Sequence, residues 1–200
     1  MFHFCMQEIP FLKVKDKRLS FDISSTKLRS LLDKINDKSV YVLDTDGLFK
    51  NHPNVSLYQR LTSVAELWVD AGPRTVDDIV DDLFSGAYRI VIRPDLWEEV
   101  DLHGVVDITE NELLALYHSK QLRNGVPRDI IFDQAQGVVV HFDNDSEPVD
   151  FKMEGFIKQL AKTKPAYVLD ETVEQRYRWE GFGLKGVVIS IDCMGVNVDE

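Results

Sequence analysis

Carboxylates recur at the ends of short apolar runs along this chain. YVLDTDG closes on Asp44 and Asp46, LWVDAG on Asp70, HGVVD on Asp107, VVVHFDND on Asp143 and Asp145, YVLDE on Asp170 and Glu171, and VVISID on Asp192. Basic groups are sparser at such places: Lys13 in FLKVK, and Arg93 in VIRPD with Asp95 two positions on. Crowded carboxylates raise one another's pKa unless a cation relieves them. Oxygen ligands of this kind suit a hard cation such as Mg²⁺, or an amine. The same residues have a plainer use, because Asp at a strand end caps the helix that follows or pairs with Lys13, Arg74 or Arg93. His141, inside VVVHF, is an acid–base candidate if it faces the carboxylates; a lone strand His otherwise packs and hydrogen-bonds. Lys13 is either a desolvated Schiff-base amine or a counter-ion to the acids. Arg74 opens a helix with Thr75, where it holds an anion or a neighbouring acid. His3, His52, His103 and His118 lack metal-ligand spacing, and Cys5 and Cys193 make neither a zinc cluster nor a disulfide framework. No metal and no cofactor is expected.

These residues need elements to hold them. Short β-rich runs predict strands at Ile9–Val14, Val40–Leu43, Glu66–Val69, Arg89–Ile92, Gly104–Val106, Gly137–Phe142, Ala166–Leu169 and Gly186–Ile191. Several, such as VYVL, RIVI and GVVV, are apolar throughout, as in parallel strands covered on both faces. Helical stretches fall between most of them: STKLRSLLDKI, TVDDIVDDLFSG with a capping-box-like Thr75 and Asp78, ENELLALYHSKQLRNG, FKMEGFIKQLAKTK and TVEQRYRWEGF. Strand and helix in alternation mean βαβ units, and eight of them predict a single closed (β/α)₈ TIM barrel over residues 1–200. PDLWEEVDLH leaves room for barely one helical turn after the fourth strand, and CMGVNVDE leaves none for a closing helix after the eighth. The fourth helix is therefore expected short and the last missing, and the uncovered strands predict a homo-oligomer. The acids also repeat: 99 positions separate Asp44 from Asp143, 100 separate Asp70 from Asp170, and 97 separate Asp95 from Asp192. Such a period suggests two half-barrels, about 1–100 and 101–200.

The chain has 200 residues, 44% hydrophobic and 28% charged, with a formal net charge of −11. That charge argues against a nucleic-acid partner, which clustered Lys and Arg would serve, and against an anionic membrane surface. No apolar run is long enough to span a bilayer, and MFHFCMQEIP has no secretory-signal pattern, so a cytoplasmic protein with a small-molecule ligand is expected.

The sequence resembles the histidine-biosynthesis barrels, phosphoribosylformimino-aminoimidazole carboxamide ribotide isomerase (HisA) and its sister cyclase HisF. IPFLKVKDKRLSF is similar to that family's first strand and hairpin, VYVLDTDGLFKNHPN to its second strand, and LWVDAGPRTVDDIVDDLFSGAYRIVI to its third βα unit, together covering residues 9–93. The resemblance implies a small phosphorylated substrate, isomerase-type proton transfer between two Asp on strands one and five, and glycine loops for the phosphates. Here Asp107 takes the second Asp position and Lys13 stands in the first. The loops read Asp70-Ala71-Gly72, Arg93-Pro94, Asp170-Glu171 and Asp192-Cys193, where carboxylates and Pro oppose a phosphate. Under this resemblance Asp107, Asp44, Lys13 and His141 are the candidate catalytic groups, and Asp46, Asp70, Arg74, Arg93, Asp143 and Asp170 the substrate-binding ones. Three functions compete: a divergent small-metabolite isomerase or lyase, a non-catalytic interaction or regulatory relative, and an acidic cup for a metal or amine.

Overall fold

The protein is described from a computed structural model covering residues 6–19, 23–99, 101–106, 108–123, 125–142, 149–170 and 179–194, with only the backbone given at 192 and 193. Nine strands form one sheet. In chain order the elements are β1 (Gln7–Lys15), β2 (Arg18–Leu19), α1 (Ser25–Ile35), β3 (Ser39–Asp44), α2 (Thr45–Lys50), α3 (Val55–Leu61), β4 (Glu66–Asp70), α4 (Val76–Phe84) and β5 (Ala87–Ile92). Then follow α5 (His103–Val106), β6 (Glu112–His118), α6 (Ser119–Leu122), α7 (Ile130–Gln134), β7 (Gly137–Phe142), α8 (Phe151–Thr163), β8 (Ala166–Asp170), β9 (Gly186–Ser190) and a 3₁₀ turn (Ile191–Met194). Eight of the strands run parallel in sequence order, and β9 pairs with β1 from Gln7↔Gly186 to Phe11↔Ser190, which closes the barrel. β2 is an addition. It folds back antiparallel on β1 through Asp16 and Lys17, both at positive φ (50° and 64°), as a two-residue hairpin turn of the primed kind requires.

Strand alternation sorts the barrel residues into two apolar bodies. Ile9, Phe11, Tyr41, Leu43, Trp68, Val91, Leu114, Leu116, Val139, Tyr167, Leu169 and Val188 fill the lumen. Their neighbours, among them Leu12, Val42, Val69, Ile90, Ala115, Val140, Val168 and Val187, pack outward against the helices. The lumen floor is a stack of large groups. The Arg89 guanidinium lies 4.3 Å from the Trp68 ring centroid and is ion-paired with Glu112, and Trp68 meets Tyr167 edge-on at 4.8 Å.

The fourth helix is reduced to the single turn α5, and within the described residues only a 3₁₀ turn follows β9. One strand differs from the sequence expectation. Gly104–Val106 lies in α5, and the fifth barrel strand is Glu112–His118, inside a segment whose Leu spacing predicts a helix. Leu113, Leu114, Ala115, Leu116 and Tyr117 are all buried, so both faces of the segment are covered. Burial on two sides in a parallel sheet outweighs the helix propensity of Leu and Ala. The expected helix TVEQRYRWEGF falls largely outside the described residues. No helix among the described residues is long and apolar enough to cross a membrane.

Candidate functional site

The C-terminal ends of barrel strands hold the active sites of this fold. At those ends parity decides which side chains enter the lumen. Asp70 follows Trp68 on the lumen side, whereas Asp44 follows Val42, and Asp170 follows Val168, on the helix side. Among the described acids, Asp44 and Asp170 therefore do not converge with Asp70.

Asp44 is fully buried and serves as the N-cap of α2. Its Oδ1 accepts from the Asp46 and Gly47 amides (3.0 and 3.2 Å) and from Asn54 Nδ2 (2.8 Å). Its Oδ2 accepts from the Asn54 amide (2.7 Å) and from the Tyr58 hydroxyl. Burial, then the Asp44 charge, pushes the Tyr58 hydroxyl far up, so it stays a donor. A carboxylate with this many donors, outside the lumen, anchors α2 to the start of α3. Asp46 accepts from Lys50 Nζ (2.7 Å), the Lys17 amide (3.0 Å) and Asn54 Nδ2 (3.1 Å). The Lys50 bond and those amides hold its pKa well below the usual range. It ties the β1–β2 hairpin to α2. Asp170, 2% exposed, accepts from Trp179 Nε1 at 2.9 Å in the outer layer.

Among the described residues Arg74 meets no acid through its guanidinium. Its Nη1 donates to Asn51 Oδ1 (2.6 Å) and the Gly72 carbonyl (3.0 Å), and its Nη2 to the Leu48 carbonyl (3.1 Å). It braces α2 against the β4–α4 turn. The anion position at the start of α4 is filled by the chain's own carboxylates. Asp78 accepts from the Arg74 and Thr75 amides, completing the expected capping box, and Glu99 accepts from the Val76 amide. Asp129 and Asp150 cap α7 and α8 in the same way. The plainer reading of strand-end Asp, as caps, thus describes Asp44.

The lumen side of the mouth carries a different set. Arg93 grips Asp70 with two bonds, Nε to Oδ1 at 2.9 Å and Nη2 to Oδ2 at 2.7 Å, and Tyr41 donates its hydroxyl to Asp70 Oδ2 at 2.7 Å. Burial pulls the Arg93 guanidinium down, and Asp70 beside it more than offsets this and leaves it raised. Burial, then Asp70, raises the Tyr41 hydroxyl. Arg93 Nη1 lies 3.3 Å from His118 Nε2. His118 and His141 are register partners on β6 and β7, with ring centroids 5.0 Å apart. Parity also sends Lys13 into the lumen, two positions beyond Phe11. The described mouth therefore gathers Lys13, Asp70, Arg93, His118 and His141, with more bases than acids, rather than an acidic cup.

Asp107 and Asp143 lie outside the described residues; the strand end expected to precede Asp107 belongs to His118. Sequence reasoning passed over His118 because its segment reads as a helix. The alternation Leu114, Leu116, His118 beside Val139, His141 is the signal that exposes it. Among the described residues no group of three or more His, Cys, Asp or Glu is placed to hold a metal ion.

No protein-family model matches the sequence, and no curated protein matches it. Among solved structures, the thiamine phosphate pyrophosphorylase of Pyrococcus furiosus is similar with a TM-score of 0.59, over 96% of this chain and 89% of that one, at 12% identity. At that identity the likeness is one of fold, and with the closed parallel sheet it makes this chain a (β/α)₈ barrel.

Proposed function

We propose that the chain is an enzyme of small-metabolite chemistry, isomerase- or lyase-like, with His118 and His141 as the acid–base groups and Lys13 as a cation across the lumen. The observation that carries this reading is the histidine pair, 5.0 Å apart at the C-terminal mouth and next to the Asp70–Arg93 bridge. Arg93 has only donors, so in the tautomer that leaves Nε2 unprotonated His118 accepts from Arg93 and its ring is the base. A second imidazole within reach supplies the acid, the pairing that proton abstraction and return require. The HisA/HisF-like resemblance of residues 9–93 supports a phosphorylated small-molecule substrate, and so does the name of the Pyrococcus neighbour, an enzyme of a phosphate ester. The Asp70–Arg93 bridge positions His118 rather than reacting.

The second reading is a non-catalytic relative that kept the barrel. The complete satisfaction of Asp44, and the closure of Asp70 upon Arg93, favour it. The two separate without knowledge of the substrate. The protein is incubated in deuterated water with a panel of phosphorylated sugars and amino acids, and carbon-bound deuterium is followed by NMR. The enzyme reading expects wash-in with at least one compound, and a loss of roughly 10²–10⁴-fold in His118→Asn and His141→Asn. Wash-in that survives both substitutions removes the histidines from the chemistry. No wash-in across the panel leaves the non-catalytic reading standing.

A further inference from the structure

The bridge to Asp70 occupies only part of the Arg93 guanidinium. Arg93 directly follows β5, is 5% exposed, and its planar head carries five N–H donors and no acceptor. Three of them face partners. Nε donates to Asp70 Oδ1 at 2.9 Å, Nη2 donates to Asp70 Oδ2 at 2.7 Å, and Nη1 lies 3.3 Å from His118 Nε2. Two remain, one on Nη1 and one on Nη2, and the described residues supply no acceptor to either. Asp70 is held away from them. It is fully buried, and Tyr41 fixes its Oδ2 from the other side at 2.7 Å, so both carboxylate oxygens stay on one edge of the guanidinium. The remaining donors therefore lie at the mouth beside His118, whose register partner His141 has its ring centroid 5.0 Å away. Donors fixed in a nearly dry place act strongly on an oxygen that gains charge, because the dielectric is low and no water has to reorganise. Charge selects the kind of oxygen. Asp70 and Arg93 together are neutral, and a phosphate dianion would meet the Asp70 carboxylate, 2.7 Å from Nη2, as a repulsion. A carbonyl oxygen arrives uncharged and gains at most one charge, spread over an enolate.

We propose that the two remaining N–H groups of Arg93 form a seat for a carbonyl oxygen of the substrate, on which enolate charge collects. The chemistry rests on the histidine reading above, in which an imidazole removes a proton from the carbon next to that carbonyl. The proton passes from carbon to the imidazole nitrogen, the C–H electron pair becomes the C=C bond, and the C=O π pair moves onto the oxygen held by Arg93. Return of a proton to carbon reverses each shift and restores the carbonyl. The substrate class narrows to molecules with a C–H bond beside a carbonyl group. Arg93 then has two tasks on two edges, Asp70 on one and substrate on the other. Lysine in its place would keep the charge and lose the planar fork.

The test is titration of the whole chain, labelled with ¹⁵N in arginine, with acetohydroxamate, whose two oxygens lie in one plane as in an enediol, and separately with inorganic phosphate. The guanidinium N–H signals of Arg93 are followed by NMR. Saturable shifts with the hydroxamate are expected, at concentrations where phosphate causes none. Arg93→Lys should weaken hydroxamate binding by at least about tenfold, the order of one lost charge-assisted hydrogen bond. The signals of the unaltered chain decide the matter even where that variant fails to fold. No saturable binding, phosphate acting at lower concentration than the hydroxamate, or binding that leaves the Arg93 signals in place and survives Arg93→Lys overturns the proposal. The two readings also fail separately. Binding at Arg93 without deuterium wash-in from any carbonyl compound supports the seat and counts against the histidine chemistry. Wash-in with the Arg93 signals unmoved overturns the seat and leaves the histidines.

Discussion

The two sides of the barrel mouth are built on opposite terms. On the β3–β5 side Asp44, Asp70 and Arg74 are each fully engaged. Asp44 holds two backbone amides of α2, the Asn54 amide and side chain, and Tyr58; Asp70 holds Arg93 and Tyr41; Arg74 holds two carbonyls and Asn51. On the β6–β7 side two imidazoles, His118 and His141, stand in register with ring centroids 5.0 Å apart. Polar groups buried with full partners specify a structure, whereas imidazoles at a barrel mouth are groups that exchange protons near neutral pH. Asp44 and Asp70 are thus stabilising members of this mouth, and the histidine pair is the part on which the proposed chemistry rests.

Four measurements would break or sharpen that contrast. Arg93→Met should cost most, about 3–5 kcal/mol by urea unfolding, because it leaves Asp70 buried beside Tyr41 without its counter-charge. A loss below about 1 kcal/mol would mean the bridge is incidental. Asp44→Ala comes next, at about 2–4 kcal/mol, from the lost helix cap and several buried donors left unsatisfied; an intact melting curve would strip the β3 side of its structural role.

The third concerns Asp82, 2% exposed on α4, whose Oδ1 has no hydrogen-bond partner. Burial, reinforced by Asp44, Asp78, Asp81 and Asp70, raises its pKa to about 8. The folded state keeps this acid protonated while the unfolded chain ionises it near 4. Stability should therefore fall as pH rises between those two values and level off above, by a few kcal/mol at most. Asp82→Asn should flatten that slope and be the more stable protein at pH 8. An unchanged slope would place the ionised form comfortably in the fold. The smallest effect belongs to the other side: Lys152→Gln, at an exposed position of α8, should alter stability by no more than about 0.5 kcal/mol, and a larger loss would give that side chain a structural role.

Much of the barrel was legible in the sequence, because parallel strands buried on both faces leave uninterrupted apolar runs such as VYVL and GVVV. The fifth strand was not. ELLALYH offers Leu and Ala at helical spacing, and only closure between β5 and β7 makes it a strand. With the fifth strand at Glu112–His118, the residue at its C-terminal end is His118, and Asp107 lies outside the described residues. The acids were legible as a row but not as a geometry, since one residue of phase turns a strand side chain from the lumen to the helices. Asp70 and Asp170, 100 positions apart, show this: the first faces the lumen and the second Trp179. The half-barrel repeat, which we retain as a proposal, now leans on strand spacing, with β3 and β7, β4 and β8, and β5 and β9 starting 98, 100 and 99 positions apart. Superposing the two halves checks it, and failure of β3 to overlay β7 would end it.

The stack of Arg89, Trp68 and Tyr167 at the barrel floor has a kinetic consequence. A vessel sealed below has a single doorway. On the proposed reading, a molecule that reacts near the histidines must leave by the path on which the next one arrives, so departure and arrival compete. Turnover in such a vessel slows as product accumulates, and the residues around the rim, rather than those at the bottom, set how fast it empties.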